Sequence, residues 1–393
     1  MRLLFVKHSM AWPRASGHDI LMFHMLKACG DLGHEVSLAT VVPPEPPAIE
    51  GAAIREYVRL TAPLGADANE DPLPGTRLQH RFRSFWGIED HWARSLRSAI
   101  RRLRPEAVIA GGLDALPFFP VIKQENTIGV LYAADEWVLH HLSMLQFRRG
   151  HLIDNLRGAA IKGLYERAHR SIIDRAWVVT ESDRRAMHRM AGIRHVDVVQ
   201  TGIDINYYKP GPEAVEPQSA IFWGRLDFGP NVQALEWFCQ RVWPLVRGAA
   251  PGAKFTIAGF QPTAEVKALT AGPGISLEAN VRDLRPVARR HALAALPLVS
   301  GAGIKNKLLE AAAMGLPVVC TPRATLGLQG NPPVVTAEGA PAFAKALLQA
   351  WDAGSERAAQ SRAIRDWVTR EHSWRAAAVA AVAALEGHRA TRQ

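Results

Sequence analysis

Short apolar runs of strand length alternate with segments of helical period along almost the whole chain. In the first half, strands are predicted at 3–7, 35–40, 54–58, 107–110, 128–133, 177–180 and 196–199, and helices at 19–32, 88–103, 137–171 and 183–190. In the second half, strands are predicted at 220–223, 254–258, 275–278, 292–298, 317–320 and 333–335, and helices at 232–246, 263–270, 305–314, 340–351, 355–370 and 374–385. Strict alternation of strand and helix predicts an α/β fold with two Rossmann-like, doubly wound domains in series.

The boundary between the domains is predicted in residues 208–218, YKPGPEAVEPQ, a polar stretch with three prolines and no periodicity. The domains then span 1–207 and 208–370. A last helix, 371–393, is expected to pack back toward the N-terminal domain. Residues 60–77, rich in Gly, Pro and Asp, are predicted to form a surface loop.

Composition narrows the class of protein. The chain has 393 residues, of which 48% are hydrophobic and 21% charged, so a sizeable core is expected. The longest charge-free apolar stretch, 376–385, is far shorter than the roughly 20 residues that cross a bilayer, so no transmembrane helix is expected. The three cysteines are far apart and form no CxxC pair, which argues against disulfides or a zinc site and favours the cytoplasm.

The net charge of +10 favours anionic partners such as sugar nucleotides, phospholipid headgroups or nucleic acid. A local basic block lies at 77–104. Its part at 82–104 is interpreted either as a peripheral contact with the anionic inner face of a membrane, or as a segment that packs on the sheet with its arginines in solvent. Nucleic-acid binding is not expected, because no DNA-reading or RNA-binding motif accompanies the charge.

Residues 300–319, SGAGIKNKLLEAAAMGLPVV, carry the clearest chemistry. Gly301 and Gly303 follow a buried strand, and a helix begins near Lys305 and Lys307. Unpaired N–H groups at a helix start, with lysines beside them, suit a phosphate or diphosphate. An acid, Glu310, lies about one turn into the helix, where it suits ribose hydroxyls better than phosphate.

This segment resembles the signature of the retaining GT-B glycosyltransferases of family 4. Further similar segments lie in order along nearly the whole chain: IFWGRLDFGPNVQALEWF, FTIAGFQP, LEANVRDLRPVARRHALAALPLVSGAG, PRASGHDILMFHMLKACGDLGHEVSLAT, VVTESDRRAM and VVQTGIDINYYKP. The resemblance implies two domains facing across a cleft, with the donor bound mainly by the C-terminal domain and the acceptor by the N-terminal one. It implies transfer of a sugar, with retention, from a UDP- or GDP-sugar to an acceptor hydroxyl.

The resemblance also assigns residues. Members of this family use no metal, so protein cations neutralise the departing diphosphate, and Arg225 with Lys305 or Lys307 matches that role. Glu310 matches the ribose-binding acid. The remaining matched donor or acceptor positions are Gly17, His18, Gly224, Val281, Arg282, Gly301, Gly303, Ile304 and Asn306.

The chain departs from the family pattern in three places. Ala302 stands where the first acid of the family's acid pair is usual. Pro230 and Asn231 stand where the lysine of the family's Arg and Lys pair is usual. In GVLYAADEW, Asp135 lies near the position of an acceptor-side histidine, and it is a candidate to bind a hydroxyl or act as a base.

Two alternatives stay open. Ala302 is consistent with a non-catalytic GT-B-like partner that binds a nucleotide without transfer. The second alternative is a GT-B sugar-nucleotide epimerase, which would form product without an acceptor. In the transferase interpretation no cofactor is expected, and the acceptor is a small molecule, a glycan or a lipid-linked hydroxyl in polysaccharide, glycoconjugate or natural-product assembly.

Overall fold

The computed structural model describes residues 1–10, 17–61, 72–134, 152–300, 304–352 and 354–392. The chain divides into two compact units. The first unit comprises Met1–Thr201 and Ala377–Gln393, and the second unit comprises Gly202–Ala376. The domain bounds read from the sequence, at 207/208 and 370/371, stay a prediction.

The first unit is built on a seven-stranded parallel sheet with the strand order β3-β2-β1-β4-β5-β6-β7. The strands are β1 (Arg2–Lys7), β2 (Glu35–Thr40), β3 (Ile54–Arg59), β4 (Ala107–Gly111), β5 (Ile128–Ala134), β6 (Arg175–Val178) and β7 (Val196–Val198). The helices described in the same part of the chain are α1 (Gly17–Asp31), α2 (Pro46–Ile49), α3 (Arg77–Phe85), α4 (Asp90–Leu103), α5 (Phe119–Gln124), α6 (Leu152–His169) and α7 (Glu181–Ala186).

The second unit repeats the plan with a six-stranded parallel sheet of order β10-β9-β8-β11-β12-β13. Its strands are β8 (Glu216–Arg225), β9 (Lys254–Phe260), β10 (Ile275–Ala279), β11 (His291–Leu296), β12 (Val318–Cys320) and β13 (Val335–Thr336). Its helices are α8 (Gly229–Trp237), α9 (Trp243–Ala249), α10 (Ala264–Ala268), α11 (Leu284–Arg289), α12 (Asn306–Ala313), α13 (Ala340–Asp352) and α14 (Arg357–Glu371), and α15 (Trp374–Arg392) continues into the first unit.

In both sheets the strand order reverses beside the first strand, between β1 and β4 and between β8 and β11. At such a reversal the flanking connections leave on opposite faces, which opens a crevice at the carboxyl ends of the strands. The two Rossmann-like units therefore each have one preferred place for a ligand, and the predicted GT-B class of fold is confirmed.

Aromatic side chains fill the core of the second unit. Phe238 and Phe255 are fully buried with ring centroids 4.4 Å apart, and Trp243 lies 5.6 Å from Phe255. Burial of each such side chain contributes about 2 to 3 kcal/mol. This core supports β8 and β9, and the carboxyl end of β8 carries the candidate site.

Several predicted elements differ from the structure. The predicted helix 232–246 is interrupted by a π-helical turn at Phe238–Val242, and helices α2, α3, α5 and α11 are missing from the prediction. Helix α3 begins at Arg77 with a capping box, in which Thr76 accepts from the Gln79 N–H and the Gln79 side chain accepts from the Thr76 N–H. Of the predicted helix 137–171, the described part is Leu152–His169.

Candidate active site

A cavity of about 420 Å³ lies at the carboxyl end of β8 and at the start of α12 in the second unit. It is lined by seven residues that the sequence singled out: Gly224, Arg225, Ile304, Lys305, Asn306, Lys307 and Glu310. The other lining residues are Trp223, Phe228, Pro230, Asn231, Leu298 and Ser300. The structure therefore brings the predicted cations and the predicted ribose acid together at the reversal of strand order.

Lys307 is the most closely held cation of this cavity. Its Nζ atom donates to Asn231 Oδ1 at 2.7 Å and lies 4.0 Å from the centroid of the Phe222 ring. Asn231 is itself fixed, because its Nδ2 donates to the Arg225 carbonyl oxygen at 2.8 Å. Both direct contacts of the ammonium group are neutral, so they orient the charge without cancelling it.

Burial lowers the pKa of Lys307 to about 7. The negative charge of Glu310 opposes this reduction, and the positive charge of Lys305 adds to it. Burial and the nearby charge of Arg323 lower the pKa of Lys305 to about 8. Both lysines therefore titrate close to neutral pH. An anion that enters the cavity favours their charged forms.

Glu310 is a half-buried carboxylate with two donors. Trp223 Nε1 donates to its Oε2 at 2.6 Å, and the Tyr208 hydroxyl also hydrogen-bonds to it. Burial raises the pKa of Glu310, and the Trp223 hydrogen bond opposes that rise. The two donors fix the direction in which the carboxylate faces the cavity.

Gly224 has no side chain, and this leaves room for the side chains of Asn231 and Lys307. Its φ is +147°, in a region that side-chain-bearing residues rarely adopt, and a Cβ there would lie 3.0 Å from Asn231 Nδ2 and 3.4 Å from Lys307 Nζ. Its neighbour Gly259 on β9 has a φ of +148°, and a Cβ there would overlap the Gly224 carbonyl group. A side chain at Gly224 would crowd Asn231 and Lys307, and one at Gly259 would displace the end of β8.

Arg225 is placed differently from Lys307. Its side chain is 67% exposed, and Asp227 holds it through two hydrogen bonds of 3.1 and 2.6 Å. The carboxylate raises the pKa of this guanidinium. Such an exposed pair is weak and can exchange, so Arg225 remains able to turn toward an anion in the cavity.

The other predicted residues divide into two groups. Val281 packs partly buried against the core and Arg282 is exposed, and neither lines the cavity. Gly301, Ala302, Gly303 and Asp135 lie outside the described residues.

In the first unit, Gly17 begins α1 and His18 lines a second cavity of about 410 Å³ at the carboxyl ends of β1 and β4. Lys7, Trp86 and Asp114 also line it. Burial and the charge of Lys7 lower the pKa of His18, which favours its neutral form. This cavity combines an indole ring with several polar side chains, as small-molecule sites commonly do.

Three residues in or beside the cavity of the second unit make contacts that the sequence did not reveal. From the sequence, Tyr208 belongs to the predicted domain boundary, Trp223 lies in a predicted strand, and Asn231 stands where a lysine is usual. The contact of Tyr208 with Glu310 joins residues far apart in the chain, and no local pattern signals it. Trp223 is indeed a core residue, 2% exposed, and it also holds Glu310.

Two negative findings apply to the described ranges alone. Within them, no cluster of three or more His, Cys, Asp or Glu side chains is arranged to hold a metal ion. Within the same ranges, no helix combines the length and apolar character needed to span a membrane.

Comparison with known proteins agrees with this geometry. The family model described as glycosyl transferases group 1 matches residues 217–353, which lie within the second unit. No curated protein matches the chain.

Solved structures match over nearly the full chain at low sequence identity. Sucrose-phosphate synthase from Thermosynechococcus elongatus has a TM-score of 0.65 at 13% identity, covering 99% of both chains. HepE of Anabaena, in complex with UDP and glucose, has a TM-score of 0.62 at 12% identity, covering 98% of this chain and 99% of that one. A glycosyltransferase from Rickettsia africae has a TM-score of 0.62 at 12% identity, covering 98% of both chains. These structures establish the GT-B-type fold, and the second unit carries the match to glycosyl transferases group 1.

Proposed function

We propose that this protein is a glycosyltransferase that moves a sugar from a nucleoside-diphosphate donor to an acceptor hydroxyl. The observation that carries the proposal is the arrangement of Lys307 and Glu310 in one cavity at the start of α12. A cation held by neutral contacts suits a diphosphate, and a fixed carboxylate suits the two hydroxyls of a ribose. The match of residues 217–353 to glycosyl transferases group 1 supports the same class.

In this proposal the diphosphate lies against Lys307 and the first N–H groups of α12, which have no acceptor within the helix. Lys305 and Arg225 add positive charge at the rim. Glu310 accepts from the ribose hydroxyls. We take UDP as the first donor base to test, with GDP next, because the HepE structure holds UDP and glucose.

The proposed reaction places negative charge on the departing diphosphate. The bond between the anomeric carbon and the diphosphate oxygen breaks, and the acceptor oxygen forms the new bond to the same carbon. The acceptor proton passes to the departing phosphate oxygen, with retention of configuration and without a metal ion. Preplaced cations stabilise the negative charge that develops on the diphosphate, and one such donor lowers the activation free energy by about 3 to 4 kcal/mol.

The acceptor is proposed to bind in the first unit, at the cavity lined by His18 and Asp114, with Gly17 and Asp135 as further candidates. The protein is proposed to act in the cytoplasm. No nucleic-acid partner is proposed.

The test measures nucleotide binding and sugar release on the full chain. Calorimetric titration with UDP, GDP, ADP and dTDP is expected to give one preferred nucleotide. Lys307→Met and Glu310→Gln are expected to weaken its binding by about 10- to 100-fold, the value of a hydrogen bond to a charged group. The exposed Lys345 and Glu356 lie away from the cavity, so Lys345→Met and Glu356→Gln serve as matched controls.

The same proteins are then incubated with the sugar conjugate of the preferred nucleotide. Turnover that depends on an added acceptor supports the transferase. Product without acceptor supports the epimerase, and nucleotide binding without any turnover supports the non-catalytic partner. Equal binding by the Lys307 and Glu310 variants and by their controls refutes the proposed donor site.

A further inference from the structure

Helix α3 has an outer face that combines arginines with large apolar side chains. Its exposed residues, Arg77, Leu78, Arg81, Ser84 and Phe85, follow a helical period and lie on one side of the helix. Phe85 is 64% exposed. Gln79 and Phe82 occupy the opposite, buried side. A soluble surface normally places few side chains as large as phenylalanine in water, so this face is a candidate for contact with an apolar phase.

Helix α6 has an outer face of the same kind. Its exposed residues in the described part are Leu156, Arg157, Ala160, Leu164 and Arg167, again on one side of the helix. Leu164 is 53% exposed and Leu156 47% exposed. Tyr165 and His169 face inward.

The two outer faces lie side by side, because the inner sides of the helices pack on each other. The rings of Phe82 and Tyr165 have centroids 4.6 Å apart, and Trp86 stacks on Tyr165 at 5.6 Å. Gln79 Nε2 donates to the Ala168 carbonyl oxygen at 2.8 Å. We call the exposed residues of α3 and α6 together the arginine–leucine face.

The arginines of this face have no carboxylate partner among the described side chains. In the part of the chain that the structure describes, no carboxylate pairs with Arg77, Arg81 or Arg157. The rest of the basic block of residues 77–104 is different. Arg101 pairs with Glu125 and Arg102 with Glu56, while Arg97 is buried. The cationic surface is therefore on α3 and α6 and not on α4.

Free arginines around exposed leucine and phenylalanine match the interface of an anionic bilayer. The apolar side chains enter the boundary between headgroups and acyl chains, while the guanidinium groups pair with lipid phosphates. Each basic residue near such a surface strengthens binding by about fivefold, so three free arginines give about 100-fold.

The arginine–leucine face also adjoins the cavity of the first unit. Trp86, which directly follows α3, and Lys162 of α6 both line that cavity, together with His18 and Asp114. The two helices that carry the face therefore also form part of the wall of the proposed acceptor site.

We propose that the arginine–leucine face docks the first unit on an anionic phospholipid bilayer, and that the acceptor is a lipid-linked hydroxyl presented from that bilayer to the adjacent cavity. The statement about the acceptor rests on the proposed glycosyltransferase function. The statement about docking does not.

The test is flotation of the full-length protein with vesicles of phosphatidylcholine alone and of phosphatidylcholine mixed with phosphatidylglycerol. Binding is expected only to the mixed vesicles and is expected to weaken at high salt. Arg77→Gln, Arg81→Gln and Arg157→Gln together are expected to reduce binding about 100-fold, and Leu164→Ser with Phe85→Ser to abolish it. Matched controls in the second unit are the exposed Arg241→Gln and Leu245→Ser, with Leu245 47% exposed.

The outcomes separate docking from catalysis. Equal binding to both vesicle types, or equal loss in the α3 and α6 variants and in the controls, overturns the docking surface. Nucleotide titration of the same proteins reports on the donor site independently, so vesicle binding without nucleotide binding leaves docking standing and removes the proposed function. Sugar transfer to a water-soluble acceptor, at a rate that neither vesicles nor lipid-linked acceptors increase, overturns the proposal that the acceptor is lipid-linked.

Discussion

Donor binding is predicted to take up protons from solution, because the cation that meets the diphosphate is largely uncharged beforehand. The pKa of Lys307 is about 7 in the free protein, below its ordinary value of 10.5, since the side chain is buried between Asn231 and Phe222. A diphosphate within hydrogen-bonding distance restores the charged form. Binding and protonation are therefore linked.

The magnitude follows from that pKa. At about pH 8 only about one-tenth of the free protein carries the Lys307 charge, so binding takes up about 0.9 proton at this site. Between about pH 7.5 and 8.5, affinity is expected to fall about eightfold from Lys307 alone. Lys305, with a pKa of about 8, adds about half a proton at pH 8 if it also contacts the diphosphate.

The assay is calorimetric titration of UDP or GDP at pH 8 in buffers that differ in their enthalpy of ionisation. A terminal phosphate has a pKa near 6, so the nucleotide itself is almost fully ionised at this pH. Lys307→Met is expected to remove about 0.9 proton from the measured uptake, and Lys305→Met at most half a proton. Asn231→Asp is expected to abolish the Lys307 contribution, because an adjacent carboxylate charges the lysine before the nucleotide arrives.

Two results refute the reasoning. The first is tight nucleotide binding by the wild-type protein without proton uptake at pH 8. The second is an uptake that Lys307→Met leaves unchanged, which assigns the protons to another group. Lys345→Met is the control for loss of an exposed lysine.

Three other substitutions have definite expected outcomes. Glu310→Gln is expected to weaken binding of ribonucleotides about 10- to 100-fold while leaving 2′,3′-dideoxynucleotides almost unaffected, and calorimetry that shows equal losses contradicts a ribose contact. Arg225→Ala is expected to leave the midpoint of urea denaturation unchanged, because its pair with Asp227 is exposed to solvent. Thr76→Ala removes one half of the capping box of α3 and is expected to cost about 1 kcal/mol in the same assay, with Thr76→Ser restoring stability.

The sequence was sufficient for the order of the strands because most of them are short apolar runs bounded by polar turns. It also placed Lys305, Lys307 and Glu310 on one helix start, because their spacing is local. The contacts that give these residues their properties are not local. Asn231 reaches Lys307 from α8, and no periodicity in either segment predicts that meeting.

The missed helices have physical explanations. Helix α3, RLQHRFRSF, contains only three apolar residues in nine and few signals of a buried stripe, although its capping residues Thr76 and Gln79 were visible. Its stability comes from packing of Phe82 and Trp86 on Tyr165, a tertiary contact. The π-helical turn at Phe238–Val242 likewise lies inside the predicted helix 232–246 and has no sequence mark.

The chain path has a consequence for synthesis. The second unit is one continuous stretch, Gly202–Ala376, whereas the first unit takes residues from both sides of it. On the ribosome the second unit is complete while the first still lacks the end of α15, including Arg389, which pairs with Glu106. Domains fold as units during translation. The unit that begins first is therefore the one that is finished last, and a chain truncated after residue 376 contains every residue of the second unit but an incomplete first unit.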